Sequence, residues 1–297
     1  MCHTGVFVGL STLDVIQLVD RLPGANEKVV ALDMVTAAGG PAANAAVAFA
    51  ALGGRPTLVT RVGNDPAGEL VISELTSRGV KVINASSDTP TVVASIMVTA
   101  GTGERAVVSA ADSGRSWRGG ESDFGGGLLD EIKPEVLVVD SYETDISIPM
   151  ARQAKQHGIP VLLDVGSKKA WTMAQLPHTD MAVVSSDYLP GGAMPIVEDL
   201  FGAGVPNGAI TAGADPIIYW LGGKPRLYEL PVLPIEVVDT LGAGDFFHGV
   251  LAFFIAEAGL SKKNLERGLL LATSFASISV KSFGSRAWLR NLRGNKI

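Results

Sequence analysis

The sequence predicts an α/β fold: a doubly wound, mostly parallel sheet flanked by helices, with a small β-sheet lid. Short runs of Val, Ile and Leu alternate with helical segments along most of the 297 residues, which is the pattern of buried parallel strands joined by crossover helices. Two β-rich segments, at about 15–37 and 90–110, interrupt this alternation. Because neither is long enough to be a domain, we expect one α/β domain of residues 1–297, in which the two segments fold together as the lid.

The N-terminal part of the chain contains a strand, an extended segment and a helix. The β-branched run TGVFVGLS predicts a strand that breaks at Gly9, with Asp14 just beyond its end. Pro41 stands where the first residue of a helix is expected, since its fixed φ suits that position. The Ala-rich segment 42–52 then predicts a closely packed helix that Gly53 ends.

A second strand and helix follow. The run PTLVTRVG predicts the strand, and the next helix has Asp65 as its N-cap, Pro66 as its first residue and Gly79 at its end. After the short strand VKVI, the segment 91–109 contains two β-rich runs joined by Gly-Thr-Gly-Glu, which is a hairpin signal.

The second half of the chain returns to alternating strands and helices. Strands are predicted in EVLVVD, IPVLLDV, MAVVS, GAITAG and IEVVDT, and a helix in IPMARQAKQHG. A further helix is predicted from Asp245 to Ala258, and after Gly259 and Ser261 another one runs to about Lys281. Ligands of such folds bind at the carboxyl ends of the parallel strands, where a covering sheet would matter.

Composition and charge argue against several classes of function. The net charge of −6 does not favour a nucleic-acid-binding protein, and four basic residues near the C-terminus are expected to form a solvated tail: Arg286, Arg290, Arg293 and Lys296. The single cysteine, Cys2, forms no internal disulfide and fits a reducing compartment. The most apolar run, 250–258, is far shorter than the roughly 20 residues of a spanning helix, and no signal peptide is visible. We expect a cytoplasmic protein with no nucleic-acid or membrane partner.

The segment DTLGAGDFFHGV, residues 239–250, contains the candidate catalytic residue and the candidate anion site. Gly242 and Gly244 lack a Cβ, so the backbone can turn successive N–H groups toward a ligand, and the helix that begins there adds unpaired N–H groups and partial positive charge. Asp245, in the first turn, places beside this anion site a carboxylate that can accept a proton from a hydroxyl. Phosphoryl transfer to an alcohol needs both features, although a tight turn followed by a capped helix would have the same sequence.

Two other phosphate-binding motifs do not occur in the sequence. A dinucleotide-binding G-x-G-x-x-G would need glycine at the position of Phe247, and an acid directly after the second glycine would repel a pyrophosphate. There is also no G-x-x-x-x-G-K-[ST] segment. His248, one turn past Asp245, is expected to pack in the core, and no cluster of His, Cys and Asp has the spacing of a transition-metal site.

Together the motifs resemble the paired signatures of the PfkB (ribokinase-like) family of carbohydrate kinases. The resemblance rests on DTLGAGDFFHGVL and AAGGPAANAAVAFAALGG, with GLSTLDVI, RVGNDPAGE and ITAGADPIIYW in the family's order, and it covers essentially the whole chain. It implies a ribokinase-like fold and an enzyme that phosphorylates a hydroxyl of a small sugar or sugar-like alcohol with ATP.

The resemblance also implies roles for individual residues. Asp245 corresponds to the catalytic base, and the backbone of Gly242, Ala243 and Gly244 to the anion hole over the transferred phosphate. The residues that correspond to the family's sugar-binding set are Asp14, at the end of the first predicted strand, Gly39, Gly40 and Asn44. Thr211 and Gly213 fall in the segment that lines the nucleotide.

The metal ions that the resemblance implies are Mg²⁺ and, as a further candidate, K⁺. Asp239 resembles the residue that borders a monovalent-cation loop, whose second half would lie near 282–286. Mg²⁺ is expected to arrive with ATP and to be held mostly by phosphates and waters. The family's N-x-x-E motif is replaced here by VVSSDYLPGG, in which Asp187 is the candidate for organising magnesium.

Two alternative functions remain open. A nucleoside kinase of the same fold would need an aromatic slot for the base, and the predicted lid has no obvious aromatic cluster. A non-catalytic sugar- or nucleotide-sensing protein would have no need of Asp245 as a base. Since small exposed sheets are open to edge pairing, we also expect a homodimer formed through the lid sheets.

Overall fold

A computed structural model of the protein describes residues 2–86, 88–110, 122, 124–166, 172–186, 192–222 and 226–290. The strands that these residues form are β1 (Thr4–Val8), β2 (Thr12–Val19), β3 (Asp33–Gly39), β4 (Arg55–Thr60), β5 (Lys81–Asn84), β6 (Val92–Thr99), β7 (Arg105–Ser109), β8 (Val136–Val139), β9 (Val161–Val165), β10 (Met181–Ser185), β11 (Asn207–Ala212), β12 (Asp215–Leu221) and β13 (Tyr228–Leu230). The helices are α1 (Pro41–Ala51), α2 (Pro66–Ser77), α3 (Leu128–Ile132), α4 (Thr144–Gln156), α5 (Thr172–Gln175), α6 (Ala193–Gly202), α7 (Ala243–Ala258) and α8 (Lys262–Ser279).

The larger sheet is mostly parallel, as the sequence predicts. Its spatial order is β13-β12-β11-β10-β9-β8-β1-β4-β5, and the strands from β11 to β5 run parallel while β12 and β13 are antiparallel. In its centre, Phe7 of β1 lies in register with Leu58 of β4 and Val138 of β8. All three side chains are buried, because helices cover both faces of the sheet.

Two apolar cores lie on the two faces of this sheet. One contains the buried residues of α1, α7 and α8, and the other those of α4 and α6. The Ala-rich sequence of α1 allows a very close approach to α7, since a Cβ added to Gly249 would collide with the carbonyl of Ala45. This arrangement confirms the doubly wound fold and brings the start of α7 next to the start of α1.

The smaller sheet has the order β3-β2-β6-β7 and is formed by the two predicted lid segments. Its buried face carries Ile16, Ala94 and Ile96, which pack with Leu241 and Phe283. The lid begins at Thr12, however, earlier than predicted. Asp14 therefore lies within a lid strand and not in a loop after the first strand, because β2 pairs in register with β3 and β6 directly from Thr12 onward.

Two expectations about the C-terminal third are wrong. The run IEVVDT is not a strand: the N–H groups of Val238 and Asp239 donate to the carbonyl of Val280 at the end of α8, so the segment is held by a helix end. Arg286 does not belong to a solvated tail, because the buried ring of Trp288 packs on Phe246 of α7 and fixes this part of the chain against the body of the protein.

Among the described residues, no helix combines the length and the apolar character needed to cross a bilayer.

Candidate active site

The carboxyl ends of the parallel strands bring polar residues to one edge of the larger sheet. Asp140 follows β8, Asp164 lies in β9, and Ser185 at the end of β10 pairs in register with Thr211 of β11. Parallel strands deliver such residues to the same edge even when they are far apart in sequence. The lid and the start of α7 lie beside this edge, so the candidate site forms there.

Helix α7 begins within the GAGD motif. Gly242 is the N-cap residue and has a left-handed conformation, with φ of 77°, so a side chain here would be strained. Gly244, in the first turn, is exposed, and a Cβ added to it would meet no other atom within 4 Å. Packing therefore does not require glycine at 244. The N-terminus of a helix whose first turn is exposed can accommodate an anion.

Asp245 lies in the first turn of α7 and is partly exposed. Its Oδ2 accepts a hydrogen bond from Asn44 Nδ2 at 2.7 Å. Burial and the negative charge of Asp164 raise the pKa of Asp245 to about 6, against the opposing effects of the Asn44 hydrogen bond and the charges of His248 and Arg105. A carboxylate in this range can hold or release a proton near neutral pH, as a general base must.

His248 is buried, as the sequence predicts, but it also faces the acidic residues. Its Nδ1 donates to the carbonyl of Gly244 at 2.7 Å, and its Nε2 lies 3.6 Å from Asp164 Oδ1. The imidazole therefore lies between the first turn of α7 and the end of β9. The sequence analysis predicted that His248 is buried, but it did not predict the contact with Asp164.

Asn44 is the centre of a hydrogen-bond chain that the sequence analysis did not anticipate. Arg286 Nη1 donates to Asn44 Oδ1 at 2.8 Å, while the Asn44 amide nitrogen donates to Asp245. Arg286 also donates to the carbonyl of Ala38 at 2.6 Å and pairs with Glu74 at 3.2 Å. Arg286 was missed because a basic residue near the end of a chain is usually solvated, and only the tertiary fold brings it back to α1.

Asp14 and the glycine pair lie on the lid side of the site. Asp14 is 4% exposed, and its Oδ1 accepts a hydrogen bond from Thr12 at 2.5 Å. Burial raises its pKa, while the Thr12 hydrogen bond and the charge of Arg286 lower it. Gly39 packs directly on the Asp14 carboxyl group, and Gly40 packs on the carbonyl of Leu10 with a φ of 94°, so a side chain at either position would collide.

Thr211 and Gly213 lie on the opposite side of the site from the lid. Thr211 is near the end of β11, and Gly213 forms the turn between β11 and β12 with a φ of 60°. In the larger sheet, β11 is separated by β10, β9 and β8 from β1, the strand that leads into the lid strand β2. Two regions thus flank the start of α7, one next to the lid and one next to the β11–β12 turn.

Asp239 joins the segment before α7 to the turn after α8. Its two carboxylate oxygens accept hydrogen bonds from the N–H groups of Leu241 and Gly284, each at 2.9 Å. Burial raises its pKa, with these bonds and the charge of Arg105 opposing. The two halves of the predicted cation loop are therefore adjacent in the fold.

The tip of the lid hairpin contacts the same segment. Thr240 Oγ1 donates to the carbonyl of Gly103 at 3.0 Å and accepts from Arg105 Nη1 at 2.9 Å. A cavity of about 650 Å³ opens at this junction, lined by Leu22, Thr99, Glu104, Arg105, Val107 and Thr240. Arg105 is thus a cation from the lid close to the GAGD motif, and no feature of its local sequence indicated this.

Asp187, the predicted magnesium-organising residue, lies outside the described residues. In the part of the chain that is described, no group of three or more His, Cys, Asp and Glu residues could hold a metal ion.

Comparison with known proteins identifies the family. The sequence profile of the pfkB family carbohydrate kinases matches residues 4–291. The chain is 27% identical to ribokinase from Bacillus subtilis, over 94% of this chain and 93% of that protein, and 25% identical to deoxyribokinase from Salmonella typhi, over 94% and 93%. The structure of Arabidopsis thaliana ribokinase complexed with ribose and ATP superimposes with a TM-score of 0.75 at 24% identity, over 99% of each chain. The chain therefore belongs to the pfkB family of carbohydrate kinases and is a phosphotransferase with an alcohol group as acceptor.

Proposed function

We propose that this protein transfers the terminal phosphoryl group of ATP to a hydroxyl group of a small sugar or sugar-like alcohol. The observation that carries the proposal is the position of the Asp245 carboxylate: it lies beside the open N-terminus of α7 and is held there by Asn44. A base next to an anion site is the arrangement that phosphoryl transfer to an alcohol requires.

In this mechanism Asp245 accepts the proton of the acceptor hydroxyl. The backbone N–H groups of Gly242, Ala243 and Gly244 are proposed to stabilise the charge on the transferred phosphoryl group. The Ala243 N–H would exchange its long hydrogen bond to the carbonyl of Thr240, at 3.4 Å, for the phosphate. The raised pKa of Asp245 makes it a stronger base than an exposed aspartate. Activity is therefore expected to fall on the acidic side of the pH profile, near the pH at which Asp245 becomes protonated.

The acceptor is proposed to bind on the lid side. Asp14 and Asn44 offer a buried carboxylate and a side-chain amide for sugar hydroxyls, and the lack of a Cβ at Gly39 leaves the room that the Asp14 carboxyl group occupies. The side-chain oxygen of Asn44 accepts from Arg286, and one of its two N–H groups donates to Asp245. The second N–H group can therefore donate to a sugar hydroxyl. The small sheet then acts as the lid of a single kinase domain.

The nucleotide is proposed to bind on the other side, along Thr211 and Gly213. Mg²⁺ bound to ATP would neutralise charge on the phosphates, with Asp187 as our candidate for organising it. Asp239 is proposed to border a K⁺ site, which the adjacency of residues 239–241 and 284 supports. Arg105 supplies a further positive charge near the phosphoryl group, since it interacts electrostatically with Asp245.

We also propose a homodimer formed through the lid sheets. The outer face of the small sheet exposes Met34 of β3, Val93 of β6 and Val108 of β7, which are 56%, 44% and 68% exposed. The pairing of Gln17 with Met34 and Met97, and of Ser95 with Val108, puts these side chains on one face. An apolar face on a sheet whose outer strands are β3 and β7 can pair with a second copy of the chain.

The test is an ADP-release assay with ATP and Mg²⁺ across pentoses, hexoses, ketoses and nucleosides. The relatives named ribokinase and deoxyribokinase support ribose and deoxyribose as the first acceptors to try. We expect ADP release that depends on a sugar. Release only with nucleosides would establish the nucleoside kinase alternative, and binding of ligands without any ADP release would establish a sensor.

A further inference from the structure

Arg286 is a buried cation that links three elements around the candidate site. Its side chain is 10% exposed, and its guanidinium donates to Glu74 on α2, Asn44 on α1, and the carbonyl of Ala38 in lid strand β3. A fourth hydrogen bond, at 3.1 Å, goes to the carbonyl of its neighbour Ser285. Four of the five guanidinium N–H groups are thus used by the protein, which leaves Arg286 poorly suited to bind an anionic ligand.

The contact between Arg286 and Asn44 determines which way the Asn44 amide faces. A guanidinium only donates hydrogen bonds, so Asn44 must turn its oxygen toward Arg286. The amide nitrogen then necessarily faces Asp245, to which it donates at 2.7 Å. Without Arg286 the amide could rotate and present its oxygen to the carboxylate, which would be repulsive once Asp245 is ionised.

We propose that Arg286 is a positioning residue for the base Asp245, acting through Asn44 and without touching the substrate. The inference rests on the proposed function, because it assumes that Asp245 is the base. Arg286 holds the amide in the orientation that supports the ionised carboxylate and keeps that carboxylate aimed at the acceptor hydroxyl.

The charged groups around Asp245 agree with this role. Asp164 from β9 raises the pKa of Asp245, while the Asn44 hydrogen bond, His248 on α7 and Arg105 from the lid lower it. The groups that face Arg286 are Glu74, Asp14 and Arg78. Loss of the Asn44 hydrogen bond leaves burial and Asp164 less opposed, so the pKa of Asp245 should rise and a smaller fraction of the enzyme should carry the base form at a given pH.

The experiment compares pH profiles of kcat/KM for the wild type, Arg286→Met and Arg286→Lys. We expect kcat to fall about 10- to 100-fold, the loss of one hydrogen bond to a charged group, and the acidic limb to move up by about one pH unit. The lysine variant should behave similarly, because a single ammonium group lacks the fork that reaches Asn44 and Ala38 together. KM for ATP should stay unchanged. An acidic limb that does not move in either variant overturns the proposal.

A matched control separates positioning from stability. Glu74→Gln removes the partner of the same buried ion pair but leaves the contact between Arg286 and Asn44 intact. We expect it to lower the unfolding temperature as the Arg286 variants do, with the acidic limb unchanged. A limb that moves equally in Glu74→Gln contradicts a role through Asn44.

The double variant Asn44→Ala/Arg286→Lys tests the route. If Arg286 acts through Asn44, adding Arg286→Lys to Asn44→Ala causes no further shift of the limb, since the pathway is already broken. Additive shifts would instead show that Arg286 affects Asp245 by a route other than Asn44, and would overturn the proposal.

A second readout keeps this test separate from the proposed function. Protein labelled with ¹³C at the aspartate carboxyl carbons, with Asp245 assigned from the missing signal of Asp245→Asn, gives the Asp245 titration by NMR without any substrate. We expect the titration to move to higher pH in Arg286→Lys. If no acceptor supports turnover, the proposed function fails while this titration still decides whether Arg286 acts on Asp245. An unchanged titration overturns the inference even in an active kinase.

Discussion

The substitution Asp245→Asn separates the chemical role of this residue from its effect on stability. Asparagine has the same shape, and its carbonyl can still accept the hydrogen bond from Asn44 that Asp245 Oδ2 accepts at 2.7 Å. It cannot accept a proton from a hydroxyl. General acid–base catalysis contributes about 10²- to 10⁴-fold, so we expect kcat to fall by at least about 100-fold while the affinity for ATP stays close to that of the wild type.

The same substitution is expected to stabilise the fold above neutral pH. The pKa of Asp245 is raised from 3.8 to about 6, which means that the folded protein favours the protonated side chain. This stabilisation is complete below a pH of about 4 and is lost as the pH rises through about 6. Two units correspond to about 3 kcal/mol, and solvent screening of this partly exposed group lowers the figure to about 1–2 kcal/mol.

Asparagine resembles the protonated acid at every pH, so the gain appears only where Asp245 is ionised. At pH 8 the variant should unfold about 2–4 °C above the wild type, taking about 2 °C per kcal/mol for a chain of this size. At pH 4 the two should unfold together. The assays are ADP release at saturating substrates and thermal unfolding at both pH values, with Asp199→Asn, an exposed acid on α6, as the control. A kcat within 10-fold of the wild type would refute the role of Asp245 as base, and a stability gain at pH 4 equal to that at pH 8 would refute the electrostatic reasoning.

Two further substitutions test the lid. In Gly39→Ala the new methyl group collides with the Asp14 carboxyl group, so kcat/KM for the sugar should fall about 100-fold, the scale on which displaced binding groups act, while KM for ATP is unchanged. Steady-state kinetics with each substrate varied in turn would check this, and a raised KM for ATP alone would contradict it. Val108→Glu puts a charge on the outer face of the small sheet, where Val108 is 68% exposed; we expect light scattering to report a monomer in place of the wild-type dimer, and a monomeric wild type would exclude the lid dimer.

The sequence predicts the part of the site that depends on local backbone chemistry. The GAGD motif indicates a helix N-terminus with an acid in its first turn, because glycine and aspartate have strong positional preferences there. Helix α7 does begin within this motif, at Ala243, two residues before the predicted start at Asp245. The Ala-rich helix after Pro41 is predicted in the same way. Both helices follow from residues that are adjacent in the sequence, so local sequence is enough to predict them.

Contacts across large sequence separations could not be predicted in the same way. Arg286 reaches Asn44 across 242 residues, and a basic side chain near the end of a chain has no local feature that distinguishes a buried partner from solvent. The prediction that Asp14 follows the first strand was wrong for a related reason. The β-rich pattern continues from β1 into β2, so the sequence does not show where one sheet ends and the other begins.

The acids at the carboxyl edge of the sheet also show why residue type alone does not define the base. Asp140 directly follows β8, yet its oxygens accept hydrogen bonds from the N–H groups of Leu10, Ala42 and Tyr142. These bonds tie the carboxylate of Asp140 to the start of α1 and to the segments that follow β1 and β8, which is a structural role. Asp245 accepts one side-chain amide and faces the negative charge of Asp164, so it has more to gain from a proton. The two acids at this edge thus differ in the hydrogen-bond donors that the fold supplies, and the donor that Asp245 receives depends on how the Asn44 amide is oriented.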